Sequence, residues 1–231
     1  MILLLANAKG GVGKTACATN LAVWIAQNKK ADVALIDLDT NKNSSNWGVY
    51  RRANPDVATD IGKIDVFNYS RETNAYDKIV QHSQDYDYVL LDMGGHDSDL
   101  FRQCLVIADE IIIPLRPNQG DIDVTSDILQ VVEEANEVRT NVELDPLLPY
   151  VYFTQVNSNP RVPALREAVE EFKKASSGGH NWFTIDTTAS YFRQAYPTAY
   201  KQGLGVGEVK IGATKAAADV DELAKIIFEE Q

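Results

Sequence analysis

Hydrophobic residues follow two alternating patterns along the chain. Nearly continuous segments of Val, Ile and Leu, such as Val89–Leu91 and Ile111–Ile113, are typical of strands in a parallel sheet that is covered on both faces. Between them, hydrophobic residues recur every three or four positions, as on one face of a helix. The pattern predicts strands at Ile2–Asn7, Asp32–Asp37, Ile64–Phe67, Tyr88–Asp92, Glu110–Pro114 and Leu148–Thr154, and helices at Lys14–Gln27, Glu72–His82, Asp121–Val138, Arg161–Lys174 and Ala213–Glu230.

The order of these elements predicts the fold class. Strand and helix alternate throughout, which favours right-handed crossovers and an α/β fold with a doubly wound, mostly parallel sheet flanked by helices. Ligands of such sheets bind outside the carboxyl ends of the strands. With 231 residues and no convincing linker, the chain is expected to form one domain over residues 1–231.

Composition and charge narrow the classes of function. Hydrophobic residues make up 45% of the chain and charged residues 24%, as in globular proteins. The first apolar run, Ile2–Ala6, has no basic residues before it and predicts a strand rather than a signal sequence. A formal charge of −11 disfavours broad attraction to nucleic acid or anionic lipid, so only local basic patches could bind them. The two cysteines, Cys17 and Cys104, are interpreted as core residues in a reducing cytoplasm.

A glycine-rich loop lies between the first predicted strand and the first predicted helix. Its three glycines let the backbone turn tightly and direct N–H groups at phosphate oxygens, and the start of the helix adds partial positive charge. Lys14 is expected to reach the outer phosphates of a nucleotide, and the Thr15 hydroxyl to bind Mg²⁺. The predicted nucleotide-binding residues are Lys9, Gly10, Gly11, Val12, Gly13, Lys14, Thr15 and Ala16.

Aspartates follow two of the predicted strands. Asp37 ends the second strand and Asp39 comes two positions later; alternate residues on a strand share a face, so both are expected to face the nucleotide. Asp92 ends an apolar strand as a Walker B aspartate does, and it is expected to hold Mg²⁺ through a bound water. Gly94 and Gly95 come next, and they allow the backbone to rearrange when the γ-phosphate leaves.

The segment Ala8–Thr15 resembles the deviant Walker motif of the ParA/MinD family of dimerising ATPases, whose hallmark is an extra lysine early in the loop. The resemblance implies that Lys9 reaches across a nucleotide-sandwich dimer to the partner's ATP. It also implies that Asp39 orients or activates the attacking water and that Asp37 supports the magnesium shell. The residues predicted to act in catalysis are Lys9, Lys14 and Asp39, and those predicted to hold the metal are Thr15, Asp37 and Asp92.

The chain departs from the family pattern in three places. Ala8 stands where the common phosphate loop has its first glycine. Thr40 and Asn41 replace the usual Pro–Gln after the second aspartate, and glycines replace the prolines that many relatives carry after Asp92. The resemblance therefore predicts the chemistry of the phosphate loop better than it predicts when the two switch segments move.

Later segments extend the resemblance over nearly the full chain. Pro117 and Gln155 fall where relatives shape or contact the adenine pocket, although loop geometry and strand capping explain these residues equally well. Thr187–Tyr196 and Gly203–Glu208 look like the late helix and loop of the ParA branch. Because the chain begins at its first strand, it resembles the short, stand-alone partition ATPases without an N-terminal helix-turn-helix.

The family resemblance also implies a biological role. It implies an ATP-dependent homodimer that binds DNA non-specifically and positions a plasmid or other cargo, with a partition adaptor or centromere-binding protein that stimulates hydrolysis. Such a protein is cytoplasmic, and it associates with the nucleoid when it holds ATP. Basic side chains in the C-terminal part could contact DNA phosphates, although each could equally be a solvated side chain that balances neighbouring acids. The candidates are Arg193, Lys201, Lys210, Lys215, Lys173 and Lys174.

Three other functions are weighed against partition. A MinD-like positioning ATPase at a membrane needs a basic amphipathic tail, whereas Asp219–Glu230 is acidic, so no membrane partner is expected. An iron–sulfur carrier needs two suitable cysteines around the dimer axis, and only Cys104 lies beyond the Walker B strand. A metabolic ATP-dependent ligase or kinase on the same fold is not excluded by the phosphate loop alone, although Lys9 disfavours it.

Overall fold

The computed structural model describes residues 1–94, 98–159, 163–176 and 183–229. Within them, one sheet contains β1 (Ile2–Leu5), β2 (Val33–Asp37), β3 (Ile64–Asn68), β4 (Tyr88–Asp92), β5 (Glu110–Leu115), β6 (Pro149–Val156) and β7 (Phe183–Tyr191). The strand order is β3-β2-β4-β1-β5-β6-β7, and every pairing is parallel. The predicted α/β fold class, a parallel sheet flanked by helices, is confirmed.

Helices cover both faces of the sheet. They are α1 (Lys14–Asn28), α2 (Asn43–Ala53), α3 (Ala75–Asp85), α4 (Asp99–Ile107), α5 (Gln119–Asn141), α6 (Ala164–Ser176), α7 (Ala195–Lys201) and α8 (Thr214–Phe228), with a 3₁₀ turn at Val206–Glu208. Helices α1, α2, α7 and α8 pack on one face, and α3 to α6 pack on the other. Among the described residues, no helix combines the length and apolar character that crossing a bilayer requires.

The central strand β1 supplies both hydrophobic cores. Its side chains alternate, so that Leu3 and Leu5 enter the core under α1 while Ile2 and Leu4 enter the opposite core. Strand β1 pairs with β4 on one side and with β5 on the other. The loop that follows β1 therefore leaves from the middle of the sheet, between the carboxyl ends of two neighbouring strands.

Several elements differ from the sequence-based predictions. Helices α2 and α4 and strand β7 were not predicted. The segment Thr187–Tyr196, expected to belong to a late helix and loop, is strand as far as Tyr191, and the helix begins only at Ala195. Strand β1 ends at Leu5, two residues earlier than predicted, and the remaining predicted ends shift by up to a few residues. The predicted helix start at Arg161 and the predicted end at Glu230 lie outside the described residues.

Candidate functional site

The glycine-rich loop forms a cradle at the start of α1. Gly11 and Gly13 have φ angles of 74° and 95°, a left-handed conformation that side chains other than glycine rarely adopt. Gly13 directly precedes α1, and no side chain caps the free N–H groups of that helix. An anion in the loop would therefore meet several unpaired backbone donors and the positive end of the helix dipole.

Residues at the end of β6 hold the outer side of this loop. The Thr154 hydroxyl donates to the Val12 carbonyl at 2.6 Å, and the Gln155 amide donates to the Gly11 carbonyl at 2.6 Å. Gln155 itself has a φ of 52°, a strained backbone angle for this residue type. Because the two carbonyls are bound on the outside, the loop keeps its N–H groups available on the inside.

Asn7 fixes the start of the loop. Its side-chain amide donates to the Pro114 carbonyl at 2.8 Å, and its side-chain oxygen accepts from the Lys9 N–H at 2.9 Å. Local sequence patterns do not predict the Asn7–Pro114 bond or the Thr154–Val12 bond, since each joins segments that lie far apart along the chain. The positions predicted for base contact, Pro117 and Gln155, lie in the β5–α5 connection and at the end of β6, and that role stays a prediction.

Lys14 points back into the loop. Its ammonium is almost fully buried and donates to the carbonyls of Asn7 and Lys9, each at 3.1 Å. Burial lowers its pKa, while the negative charges of Asp92 and Asp39 act in the opposite direction. The side chain is thus already placed in the loop, and an outer phosphate can replace the carbonyls as its partner.

A second group, named here the Asp92 cluster, consists of Thr15, Ser44 and Asp92. The hydroxyls of Thr15 and Ser44 both donate to Oδ2 of Asp92 at 2.7 Å. The other carboxylate oxygen, Oδ1, is buried and has no hydrogen-bond partner within the described part of the chain. Burial raises the pKa of Asp92 to about 6, although the two hydroxyls oppose this shift.

The Asp92 cluster fits a magnesium ion. An orphaned buried carboxylate oxygen beside two hydroxyls is a hard oxygen donor set, which Mg²⁺ prefers. Asp92 and Thr15 were predicted for this role, whereas Ser44 was not. Ser44 lies at the start of α2, 48 residues from Asp92 in the sequence, and no local signal links the two.

Asp37 and Asp39 occupy different environments. Asp37 ends β2 fully buried, where its Oδ2 accepts from the N–H and hydroxyl of Ser45 at 2.8 and 2.7 Å. Burial raises its pKa, and the bonds from Ser45 oppose that rise. Asp39 lies two residues beyond the end of the strand and is half-buried, so strand alternation does not orient it. Its negative charge acts on the Lys14 ammonium, and the expectation that both aspartates face the nucleotide stays a prediction. The role of Asp39 towards water also stays a prediction.

The two expected switch segments contact one another at Gly94. A Cβ added to Gly94 would lie 3.3 Å from the Cα of Asp39, so a side chain here would require a shift of a few tenths of an ångström between the two segments. The close approach couples the segment after β2 to the segment after β4. Gly95, which was predicted to share this flexibility, lies outside the described residues.

A third group, the Asp121 cluster, consists of Lys9, Arg116 and Asp121. Asp121 lies in the first turn of α5 with a fully buried side chain, and its Oδ1 is 2.7 Å from the Lys9 ammonium. Arg116 binds the same carboxylate with two nitrogens, Nε at 2.7 Å and Nη2 at 3.0 Å. Burial would raise the pKa of Asp121, but the bonds from Arg116 and Lys9 outweigh it and lower the pKa to about 2.

The model for the CobQ/CobB/MinD/ParA nucleotide binding domain matches residues 3–187. The chain belongs to this family. Protein ParA of Rhizobium radiobacter is 28% identical over 221 residues, which cover 95% of this chain and 91% of that protein. The family assignment confirms the resemblance that the loop suggested, and members of the ParA/MinD type are ATPases.

Solved structures agree with this ParA/MinD-type fold. The complex of a Cyanothece McdA variant with ATP superimposes with a TM-score of 0.72 at 14% identity, covering 100% of this chain and 97% of McdA. The pNOB8 ParA structure bound to nonspecific DNA gives a TM-score of 0.65 at 15% identity, covering 100% of this chain and 99% of that one. At these identities the likeness concerns the fold.

A cavity of about 560 Å³ opens beside the ParA/MinD-type loop, large enough for a nucleoside. Thr15, Ala16 and Gln155 lie at its loop side, and Tyr152 and Tyr196 line its wall. The tyrosines were not predicted, because their position depends on how β6 and α7 pack against α1. The cavity thus joins predicted loop residues to an aromatic wall that only the fold assembles.

The residues predicted to contact DNA differ in their exposure and in whether an acidic side chain already lies beside them. Arg193 is mostly buried and its Nε lies 3.0 Å from Asp219, so its charge is already compensated. Lys210 is exposed but lies 3.9 Å from Asp56. Lys201, Lys215 and Lys174 are exposed, and the side chain of Lys173 lies outside the described part.

Proposed function

We propose that the chain is a Mg²⁺- and ATP-dependent dimerising switch that positions DNA or another cargo. The observation that carries the proposal is that the two loop lysines have different partners. The Lys14 ammonium bonds to carbonyls of the chain's own phosphate loop, whereas the Lys9 ammonium pairs with Asp121 at the start of α5. A lysine that the chain's own site does not use is available to a second subunit.

Within one subunit, the loop N–H groups and Lys14 bind the phosphates of ATP. Thr15, Ser44 and Asp92 would hold Mg²⁺, and the ion would supply positive charge against the phosphate oxygens. Asp39 orients a water molecule whose oxygen bonds to the γ-phosphorus while the bond from that phosphorus to the bridging oxygen of ADP breaks. Asp39 suits this role because its half-buried carboxylate lies beside Gly94 and remains accessible to water.

Two subunits then face each other across two ATP molecules. In this arrangement Lys9 of each subunit leaves Asp121 and binds the partner's ATP. Without nucleotide the two cationic loops would repel, so the phosphates make association depend on ATP. After hydrolysis the phosphate leaves, which removes negative charge from between the loops, and the two subunits separate.

The ATP dimer binds DNA non-specifically, in line with the ParA structure solved on nonspecific DNA. Lys201 and Lys215 are the exposed basic candidates for phosphate contact, and dimer symmetry doubles them. A partition adaptor or centromere-binding protein stimulates hydrolysis and connects the switch to its cargo. The protein is then cytoplasmic and nucleoid-associated while it holds ATP.

An ATPase and gel-shift assay tests this function. We expect slow Mg²⁺-dependent turnover, and binding of unrelated duplex DNA that requires ATP and weakens steeply with salt. Lys14→Ala serves as the nucleotide-binding control. DNA binding that is indifferent to ATP would refute the partition role, stimulation by anionic lipid vesicles instead of DNA would favour a MinD-like role, and turnover that depends on a metabolite would favour a ligase or kinase.

A further inference from the structure

Two positively charged side chains pair with the single negative charge of the Asp121 carboxylate. Its side chain is fully buried, and it accepts from one ammonium and one guanidinium. The Arg116 N–H adds a contact to Oδ2 at 3.2 Å. One anion is thus shared by two cations, which leaves a net positive charge in the Asp121 cluster.

The two cations are attached differently. Arg116 directly follows β5 and binds through a rigid, planar, bidentate group, an arrangement that favours a fixed pair. Lys9 reaches the carboxylate through a single nitrogen on a flexible side chain. The two side chains are equally exposed, at 35% and 36%, so the mode of attachment distinguishes them. The Lys9 ammonium also lies close to Gly120, where a Cβ would be 3.2 Å from Nζ. Lys9 is therefore the cation that can leave.

Asp121 itself is held in place whatever Lys9 does. Its N–H donates to the Asn118 side chain at 3.1 Å, and the Thr125 hydroxyl donates to its carbonyl at 2.8 Å. The first turn of a helix also favours a negative charge. Asp121 cannot follow Lys9 towards a nucleotide, so something else must neutralise the carboxylate after Lys9 departs.

We propose that Arg116 is a positioning residue that keeps Asp121 paired when Lys9 moves to the partner's ATP, and so sets how much ATP is needed for dimerisation. The inference rests on the proposed function and deepens it. With Arg116 present, the departure of Lys9 leaves a neutral ion pair. Without it, the departure would leave the carboxylate without a cation, which is unfavourable. Because both cations are about a third exposed, solvent moderates this cost.

The test is an ATP titration of dimer formation by sedimentation. The background is Asp39→Ala, which prevents ATP depletion. In this background Arg116→Gln is expected to raise the ATP concentration at half-maximal dimerisation by roughly threefold to tenfold. Arg116→Lys should recover part of the shift, because it restores the charge without the bidentate geometry. Adding Asp121→Asn to Arg116→Gln should return the midpoint to the background value or below, since no carboxylate then retains Lys9.

Two controls separate this role from a structural one. Affinity of the monomer for a fluorescent ATP analogue should not change in Arg116→Gln, because Lys9 does not serve the chain's own loop. Arg166→Gln, which breaks an exposed pair with Glu170 on α6, should leave the midpoint unchanged. Thermal unfolding of each variant checks that it is folded.

The outcomes distinguish the two hypotheses. If the Asp39→Ala background fails to dimerise with ATP, the proposed function is wrong and this inference with it. If the background dimerises but Arg116→Gln stays within about twofold of it, or Asp121→Asn brings no recovery, only the role of Arg116 is overturned.

Discussion

Asp92 and Asp121 are two buried aspartates with opposite electrostatics. Burial raises the pKa of Asp92 to about 6. At Asp121 burial acts in the same direction, but bonds from Arg116 and Lys9 lower the pKa to about 2. The difference shows that burial alone does not set the pKa of a carboxylate here. Counter-ions within the chain decide whether its negative charge is balanced.

The two clusters therefore suit different tasks. The Asp92 cluster has neutral hydroxyl donors and an oxygen without a partner among the described residues, so it needs a cation from outside. The Asp121 cluster has one cation more than it needs, so it can release Lys9. In the proposed switch, the Asp92 cluster receives Mg²⁺ and the Asp121 cluster donates a lysine to a partner.

Asp39→Ala should stop the chemistry while leaving both clusters intact. Loss of the residue that orients water is expected to lower ATP turnover by about 10²–10⁴-fold, with ATP still bound. Because Lys9 can still leave Asp121, an ATP-loaded dimer should accumulate and be visible by sedimentation. A variant that remains monomeric with ATP would contradict the dimer switch.

Lys14→Ala should disable the nucleotide side alone. Removing a buried ammonium that faces the phosphates is expected to weaken ATP binding by roughly a hundredfold or more, as measured by calorimetry. Lys225→Ala, which removes an exposed ammonium on α8, is the matched control and should bind as the unchanged chain does. Equal affinity in both variants would show that the loop does not hold the phosphates.

The pH dependence of unfolding should have opposite signs at the two aspartates. The raised pKa in the folded state means that ionised Asp92 destabilises the fold. As the pH rises from about 4 to 6, the free energy of unfolding of Asp92→Asn should therefore increase by about 3 kcal/mol relative to that of the unchanged chain. The difference should then stay constant above pH 6. The lowered pKa of Asp121 in the folded state means that its ionised form stabilises the chain above about pH 4. That stabilisation is lost as the pH falls towards 2. Asp121→Asn should therefore be less stable than the unchanged chain at neutral pH.

Urea unfolding of the nucleotide-free protein in a metal chelator measures both free-energy curves. Two curves of the same sign would mean that the counter-ions of Asp121 do not act as the structure implies. Adding Mg²⁺ should reduce the advantage of Asp92→Asn above pH 6, because the metal binds only the ionised carboxylate.

Ser44→Ala should produce the smallest effect. It removes one of two hydroxyl donors to Asp92 and is expected to raise the Mg²⁺ concentration at half-maximal turnover by about tenfold. Turnover measured over a range of Mg²⁺ concentrations gives the midpoint. Ser45→Ala, whose hydroxyl binds Asp37 instead, provides the comparison. Equal midpoints for the two variants would argue against a specific role of Ser44 at the metal.

The sequence was informative where the chemistry is local. The loop residues from Lys9 to Thr15 are contiguous, and Asp92 follows an unmistakable buried strand, so glycine spacing and hydrophobic pattern were sufficient to find them. Strand β7 was missed although its segment alternates polar and apolar residues, because the part from Thr187 onward was interpreted from its resemblance to a late helix and loop. Helix α2 was missed because it begins with Asn43-Ser44-Ser45-Asn46, residues typical of turns.

Contacts between distant segments were beyond the reach of local patterns. The bond between Ser44 and Asp92 depends on a helix that was not predicted. The pairing of Lys9 with Asp121 spans more than a hundred residues and depends on β1 and β5 being neighbours in the sheet. The early lysine was recognised from the family motif, but its resting partner could be found only in the folded chain.

The contact between Gly203 and α2 has a mechanical consequence. A Cβ at Gly203 would lie 2.0 Å from the backbone nitrogen of Arg51, and the Arg51 guanidinium binds both the Gly203 carbonyl and Glu208. Helix α2 and the stretch around Gly203 are thus joined too closely to slide past each other. A displacement of α2, which carries Ser44, would therefore also displace the segment that follows α7, a helix whose last residue Lys201 is exposed.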